Sequence, residues 1–482
     1  MACEHIARRV DVIVGAVAWG TLTLTTIGAL FAPRAVLRGV TVLALYVAAR
    51  ALWGAWAARR GIQRIQHTEN APLSPHSDAV HHLIVLPNKD EPLSVLQRAL
   101  ARLAVLPEAR SFTLVLAMEA AEPLARTKAE LLRAAFGAHF AQMLITLHPA
   151  NLPGETAGKA ANLTWAVRRA REHLAAQGHN LARVLVTVMD ADTLWHPRYF
   201  RALSAHFTTT PHPHASIWQA PIRYHANVWS VHPCMRVLHA YAAAWELAYL
   251  AAPHWEALPI ASYSLSLRLL ERIGYWETDA VADDWRIFVQ AYTVQGNALR
   301  VQPIFLPFHV HATDGATLWE TLRARYLQTL RHAWGAKEIG VLAARWCACP
   351  KLPRGRTATL FARMVHDHWL AGAGTLALFL GAQLPWLLHP HTARAFWFST
   401  WGGALQAAFA LTGALSLGFW LVDVRTRPSP PRPHAWHTWA AEALSLLLLV
   451  PLTLCCVAAP VLHAQTRLLL GRKLAFRVTP KH

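Results

Sequence analysis

Five long apolar runs constrain this chain more than any other feature. They cover residues 12–31, 36–56, 369–388, 396–422 and 439–461, with few or no ionic side chains. Roughly 20 apolar residues in a helix cross the hydrocarbon core of a bilayer, so each run is a candidate span. Arg50 interrupts the second. Between the second and third runs, residues 67–366 are mixed in polarity and read as a water-soluble domain. A length of 482 residues allows about two to four domains.

The first run is too long for a secretory h-region, and no small-x-small cleavage site precedes the second. Both runs are expected to stay, as a hairpin turned at Ala32-Pro33-Arg34. Arg8, Arg9, Arg59, Arg60 and Arg64 flank that hairpin on one side, which marks the side as cytoplasmic. The central domain then faces the cytoplasm, together with Arg425, Arg427 and Arg432 in and around the Pro-rich loop 428–433. Arg467, Arg472, Lys473, Arg477 and Lys481 do not fit, because five full spans put this tail outside. Two readings stay open. Either Pro451 breaks the last run into a re-entrant or in-plane element, or the charge rule fails here.

The formal charge is +19. Lys and Arg beside membrane runs hold topology and meet anionic headgroups. No aromatic-plus-basic nucleic-acid motif occurs in the central domain, so no nucleic-acid partner is expected. The six cysteines lack zinc-site spacing, and a cytoplasmic domain is not expected to carry a disulfide framework.

Within the central domain, strand and helix patterns alternate. Strands are expected at residues 80–86, 112–118, 142–147, 184–189 and 216–220. Helices are expected at 93–103, 124–136, 159–176, from 197, at 286–292 and at 317–334. Repeated βα units imply an α/β fold, a mostly parallel sheet with helices on both faces.

In such a sheet the strand ends share one edge, where ligands bind. Asp90 and Glu91, Glu119, and Asp190-Ala191-Asp192 all fall at strand ends. Carboxylates gathered there suit ribose or base binding and a hard cation held through oxygen. Asp192 is read as the metal ligand, and a helix cap is the alternative for Asp90. Gly154-Glu155-Thr156-Ala157-Gly158-Lys159 opens a helix, so Lys159 and the helix N-terminus can meet a phosphate, with Asn162 on the same turn. The glycine spacing is not that of a Walker loop. Asp283-Asp284 precedes a helix. Adjacent acids raise one another's pKa, which suits a general base, and Asp also caps helices. The 317–334 segment is amphipathic and fits either a membrane interface or a packed core. His309 and His311 are read as a chance pair among 28 histidines.

Residues 80–340 resemble the membrane-bound family-2 glycosyltransferases, a group that includes cellulose, chitin and hyaluronan synthases and ceramide glucosyltransferases. LIVLPNKDE, containing Pro87 and Glu91, resembles the first nucleotide-binding turn. GKAAN, VMDADT and SYSLSLRLLERIGYWETDAVADDW resemble the Gly-Lys, metal and acceptor segments, and Gln328-Thr329-Leu330-Arg331-His332 falls where that family has Gln-x-x-Arg-Trp. The chain also shares AMEA-like, HPANLPGE-like and RHAWGA-like segments with a less characterised branch.

The resemblance implies a GT-A-type domain over residues 61–316 behind a membrane hairpin (1–60). Interfacial helices (317–366), C-terminal membrane helices (367–466) and a basic tail (467–482) would follow. It implies metal-dependent inverting transfer from a nucleotide-sugar, a UDP-sugar foremost, at the inner face of the plasma membrane. Asp192 would bind Mg²⁺ or Mn²⁺, with Asp190 beside it. Asp190 and Glu119 would hold the nucleoside, while Lys159 and Arg331 would meet phosphates with Asn162 and Gln328 nearby. Asp284, with Asp283, would take the acceptor proton, and Trp285, His332 and Trp334 would flank the acceptor. Glu119 and His332 replace the family's Asp and Trp. A growing polysaccharide is the leading acceptor, with a homo-oligomer completing a pore that few spans cannot form alone. A membrane lipid is the alternative acceptor, and a non-catalytic sugar-lipid-binding scaffold is the rival from another class.

Overall fold

A computed structural model describes residues 2–72, 80–156, 158–253, 255–430, 436–472 and 474. Arg432, Lys473, Arg477, Lys481, Ala157 and part of the Pro-rich loop therefore lie outside the described residues. Helices α1 (Ala2–Phe31) and α2 (Pro33–Asn70) form the N-terminal hairpin. Pro33 opens α2, where a missing N–H costs nothing and φ is preset.

The central domain then runs β1 (His81–Asn88), α3 (Leu93–Ala104), β2 (Thr113–Glu119), α4 (Ala125–Phe136), β3 (Gln142–His148), α5 (Lys159–Ala176), β4 (Val184–Val188) and α6 (Tyr199–Thr209). It continues with β5 (Ser216–Gln219), β6 (Ile222–Arg223), α7 (Pro233–Ala251), β7 (Tyr263–Ser266), α8 (Leu267–Ile273), α9 (Asp283–Gln295), β8 (Arg300–Pro303), β9 (Phe308–His309), α10 (Leu318–Ala333) and α11 (Lys337–Ala348). After these come α12 (Arg354–Trp369), α13 (Thr375–Leu388), α14 (Pro390–Trp397), α15 (Thr400–Thr426), α16 (Trp436–Ser445), α17 (Leu449–Thr453) and α18 (Ala459–Leu469).

Seven strands form one sheet in the order β3-β2-β1-β4-β7-β5-β8. The first four are mutually parallel, β7 is antiparallel to both neighbours, and β5 and β8 are parallel. Val85 stands opposite Val115 on one side and Val188 on the other. Side chains alternate between faces with period two. Leu83, Val85, Val115 and Val186 pack with Leu163, Val167 and Ala170 of α5. Ile84, Leu86, Leu114, Leu116 and Leu185 pack with α3, α4 and α6 through Leu96, Leu100, Leu132 and Phe200. Each fully buried side chain of this kind contributes about 1.5–3 kcal/mol. Burial on both faces is why these strands read as continuous apolar runs.

The mostly parallel α/β sheet expected from the sequence is therefore present, flanked by long apolar helices. Among the described residues five helical stretches are long and apolar enough to cross a membrane: Cys3–Phe31, Pro33–Asn70, Arg354–Leu388, Thr400–Thr426 and Trp436–Leu469. Pro451 does not interrupt the last of these. The helical path tightens at Leu446–Leu448 and widens at Leu454–Ala458 around it, which relieves the clash and missing N–H of an internal proline.

Both ends of this last stretch meet the central domain. At its start Trp439 packs on Trp229 with ring centroids 5.9 Å apart, and Glu442 accepts from Arg236 at 3.3 Å. In its middle Leu452 and Cys456 pack with Met235, Leu238 and Ala312. At its end the Tyr326 hydroxyl meets His463 Nδ1 at 3.1 Å, and α18 also packs on α1, where Arg8 donates to the Leu469 carbonyl at 3.0 Å.

Two local expectations change. The acid pair does not precede a helix at 286–292. Asp283 and Asp284 are the first two residues of α9, and Ala282 at the cap position makes no side-chain bond. Negative charge is stabilised at a helix N-terminus, which explains the earlier start. In α10 the face packed on the protein is mixed: Thr321, Arg325 and Thr329 are buried with Leu330 and Ala333, and Leu322 and Tyr326 pack on the cores, while Trp319 and Leu327 are exposed.

Candidate active site

Parallel strands bring their C-terminal ends to one edge. Asn88, Glu119, His148 and the residues just after β4, Asp190 and Asp192, meet there. Antiparallel β7 adds its start, because Tyr263 pairs with Val188. Ala261 and Ser262 therefore lie beside Asp190, whose backbone N–H donates to Ser262 Oγ at 3.0 Å. A cavity of about 550 Å³ opens over this edge.

Lys159, the first residue of α5, is the electrostatic centre. Its Nζ lies 2.8 Å from Asp190 Oδ1 and 3.3 Å from Asp283 Oδ2, and donates to the Ala261 carbonyl at 3.0 Å. An ammonium has three donors, so this geometry commits all of them within the protein. Burial works against the charge, but Asp190 and Asp283, with Asp284 beyond, hold its pKa above the ordinary lysine value. A phosphate meeting Lys159 has to displace one of these partners.

Asp284 Oδ2 accepts the Ala261 N–H at 3.2 Å, and Oδ1 accepts its neighbour's, from Trp285, at 2.8 Å. Burial first, and the adjacent Asp283 charge second, push the Asp284 carboxyl up to about 7. Burial also raises Asp283, against the opposing charge of Lys159. Ala261 thus gives its carbonyl to the cation and its N–H to the acid. It does so at φ +54°, the left-handed region that a residue with a Cβ rarely adopts.

Asp192 is buried, and its Oδ2 accepts the His311 backbone N–H at 3.0 Å, which fixes the carboxylate's direction. Among the described residues no group of three or more His, Cys, Asp or Glu side chains is placed to hold a metal. Asp192 and Asp190 are the candidate metal-holding carboxylates of this edge. That donor set fits a hard cation that keeps waters and takes substrate phosphates as its remaining ligands.

Glu119 Oε2 meets His148 Nδ1 at 3.0 Å, and His148 Nε2 meets Glu155 Oε2 at 2.9 Å, so the β2 tip is tied to the loop before α5. Asn162 donates to the Ala117 carbonyl at 2.8 Å and Asn88 to Glu122 at 2.9 Å. With their amide nitrogens so used, Asn88 Oδ1 and Asn162 Oδ1 are left as buried acceptors without a protein donor.

On the far wall, Gln328 accepts from Thr313 at 2.7 Å and from Arg325 at 2.8 Å. Partial desolvation in the cavity, with the nearby charges of Arg331 and Arg325, lowers the His332 pKa, although its side chain stays exposed.

Of the residues singled out in the sequence, Pro87, Glu91, Glu119, Lys159, Asn162, Asp190, Asp192, Asp283, Asp284, Trp285, Gln328, Arg331 and His332 all line this cavity. Trp334 does not. It is 5% exposed and packs in the core with Leu330, Ile339 and Leu468. Sequence reasoning missed Asn88, Tyr224, Asn227, Glu246, Arg363 and Asp367, which also line it. Glu246 carried a usable signal, as the one acid in the otherwise apolar run 240–252.

The sequence model of the family described as glycosyl transferase family group 2 matches residues 185–422. No curated protein matches the chain in sequence. Among solved structures, the chain is similar to a mannosyltransferase from Pyrobaculum calidifontis in complex with GDP-Man and Mn²⁺. Identity is 16%, over 79% of this chain and 99% of that one, at a TM-score of 0.41. It is also similar to glucosyl-3-phosphoglycerate synthase from Mycobacterium tuberculosis in complex with Mn²⁺, UDP and phosphoglyceric acid. There identity is 13%, over 57% of this chain and 80% of that one, at a TM-score of 0.33. These superpositions are loose, and the assignment rests on the family match. That match begins in β4, takes in both acids after it, the acid pair of α9 and the α10 segment, and ends in α15. The chain is a glycosyltransferase, and residues 185–422 match glycosyl transferase family group 2.

Proposed function

We propose that the chain catalyses metal-dependent, inverting transfer of a sugar from a nucleotide-sugar, foremost a UDP-sugar, to a growing polysaccharide at the cytoplasmic face of a membrane. The observation that carries this reading is the convergence of Asp190, Asp192, Lys159 and Asp284 on one cavity. Asp284 takes the proton from the acceptor hydroxyl as that oxygen bonds to the anomeric carbon. The bond from that carbon to the phosphate oxygen breaks, and the nucleoside diphosphate departs with the bonding pair. Glu119, Asn162 and Glu91 hold the nucleoside end. Lys159 and Arg331 supply positive charge near the phosphates. Asp192 and Asp190 would hold Mg²⁺ or Mn²⁺, which would neutralise charge on the leaving group. Trp285 and His332 flank the acceptor.

The experiment uses purified protein in nanodiscs, a panel of UDP- and GDP-sugars, and Mn²⁺. Wild type is expected to release nucleotide only with metal, and Asp192→Asn to lower that release at least tenfold, the effect of about 1.4 kcal/mol of lost transition-state stabilisation. Equal release by the two proteins would sink the enzymatic assignment of Asp192. A second reading, one sugar added to a membrane lipid, is favoured by Arg363, Asp367 and Ala371 of the Arg354–Leu388 stretch, which form part of the cavity wall. Sizing of the product separates the two.

For the membrane arrangement, we propose four crossings rather than five. Trp436–Leu469 is then a re-entrant or in-plane element held against the domain and α1, with Leu444, Leu447 and Val450 exposed. The support is that its start, middle and end all contact the domain. Arg467 and Arg472 then fall on the cytoplasmic side with Arg8, Arg9, Arg59 and Arg60, and the charge rule is obeyed. A fluorescent protein fused after His482 in a bacterial host is expected to be bright, and alkaline phosphatase at the same point inactive. The reverse pattern would restore a fifth crossing.

A further inference from the structure

One wall of the cavity has no part in the chemistry above. Glu246 lies on α7 among apolar neighbours and lines the cavity, half-buried. The Tyr224 hydroxyl donates to its Oε1 at 3.0 Å. Its Oε2 is shielded from bulk water and accepts no hydrogen bond. Burial pushes this carboxyl up to about 7, against the Tyr224 hydrogen bond and the charges of Arg325 and Arg223.

A buried acceptor without a donor costs free energy that a ligand O–H recovers. The rest of this wall is made of Tyr224, Asn227, Thr313, Gln328 and Tyr249. Of the two nearby cations, Arg325 is directed to Gln328 at 2.8 Å, and Arg223 is buried on β6. Polar neutral groups and an aromatic ring around one carboxyl suit a hydroxylated, uncharged ligand. The same carboxyl disfavours a phosphate.

Given that the site handles a nucleotide-sugar, we propose that Glu246 binds a hydroxyl of one of the two reacting sugars. Oε2 accepts the sugar O–H while Tyr224 holds the other oxygen in place. Donor and acceptor sugars offer the same chemistry here, and the test separates them.

Glu246→Ala and Glu246→Gln are compared with wild type in nanodiscs with Mn²⁺. Binding of free UDP and GDP reports that the site is folded and is expected to be unchanged in both variants. Glu246→Ala is expected to raise a sugar-dependent KM about tenfold or more, with part recovered in Glu246→Gln, which keeps the shape and an acceptor oxygen. If the hydroxyl belongs to the donor, the rise is seen in hydrolysis of the nucleotide-sugar by water. If it belongs to the acceptor, hydrolysis is unchanged and only transfer into the membrane fraction falls. Hydrolysis and transfer constants that both match wild type overturn the proposal. A wild-type protein that turns over no nucleotide-sugar overturns instead the reading of the cavity on which the proposal rests.

Discussion

Asp284→Asn is expected to slow sugar transfer by about 10²- to 10⁴-fold, the range of a positioned general base. Asparagine has the same shape but only one acceptor oxygen, so it keeps one of the two N–H bonds from Ala261 and Trp285, and it cannot take a proton. Nucleotide affinity should therefore persist while turnover falls, a pattern that marks a group acting in the transition state. The pH dependence follows from the same environment. The carboxyl is pushed up to about 7, and the base works only when ionised. In wild type kcat/KM should rise by about tenfold per pH unit below that value and level above it. The residual activity of Asp284→Asn should lose this limb. Equal rates at saturating donor would remove Asp284 from the chemistry, and a retained limb would assign the titration to another group.

Lys159→Met is expected to have the largest effect on stability. The side chain is 15% exposed and faces Asp190 and Asp283, with Asp284 behind them. Removing one partner of a buried ion pair leaves an uncompensated charge and costs about 3–5 kcal/mol. The pair to Asp190 is the more open of the two, so most of the loss is expected through Asp283. Unfolding followed by tryptophan fluorescence in detergent should show the decrease. Lys159→Arg should not restore wild-type stability, because a planar fork cannot reproduce three contacts made by a compact ammonium. Unchanged unfolding of Lys159→Met would mean that the carboxylates take up protons at little cost.

Much of the parallel half of the sheet was legible in the sequence, since its strands are buried on both faces and its helices have clear periods. Strands β1 to β4 and helices α3 to α5 fall within about two residues of expectation, the usual scatter of element ends. In the other half of the sheet only β5 was legible, at Ser216–Gln219 against the expected 216–220. β7 has four residues and β9 two, too few to carry a period. α7 is apolar on most of its surface because it packs on α2 and α15 as well as on the domain, so it shows no amphipathic stripe. The site was legible where residues are contiguous in sequence, as in Asp190-Ala191-Asp192 and Asp283-Asp284. It was not where the chain returns from elsewhere, as with Ala261, Glu246 and Asp367. Trp334 shows the limit of spacing arguments. It lies three residues beyond Arg331, on the turn that ends α10, and its ring goes to the core.

Ala261 links the two residues whose changes are described above. Its carbonyl receives the Lys159 ammonium and its N–H reaches the Asp284 carboxylate. One uncommon backbone conformation therefore serves as a rigid coupling between the cation and the base. Whatever displaces Lys159 acts on the proton affinity of Asp284 as well, through the same residue and through space. Their energies are a joint property, and double substitutions at 159 and 284 measure that coupling rather than two separate contributions.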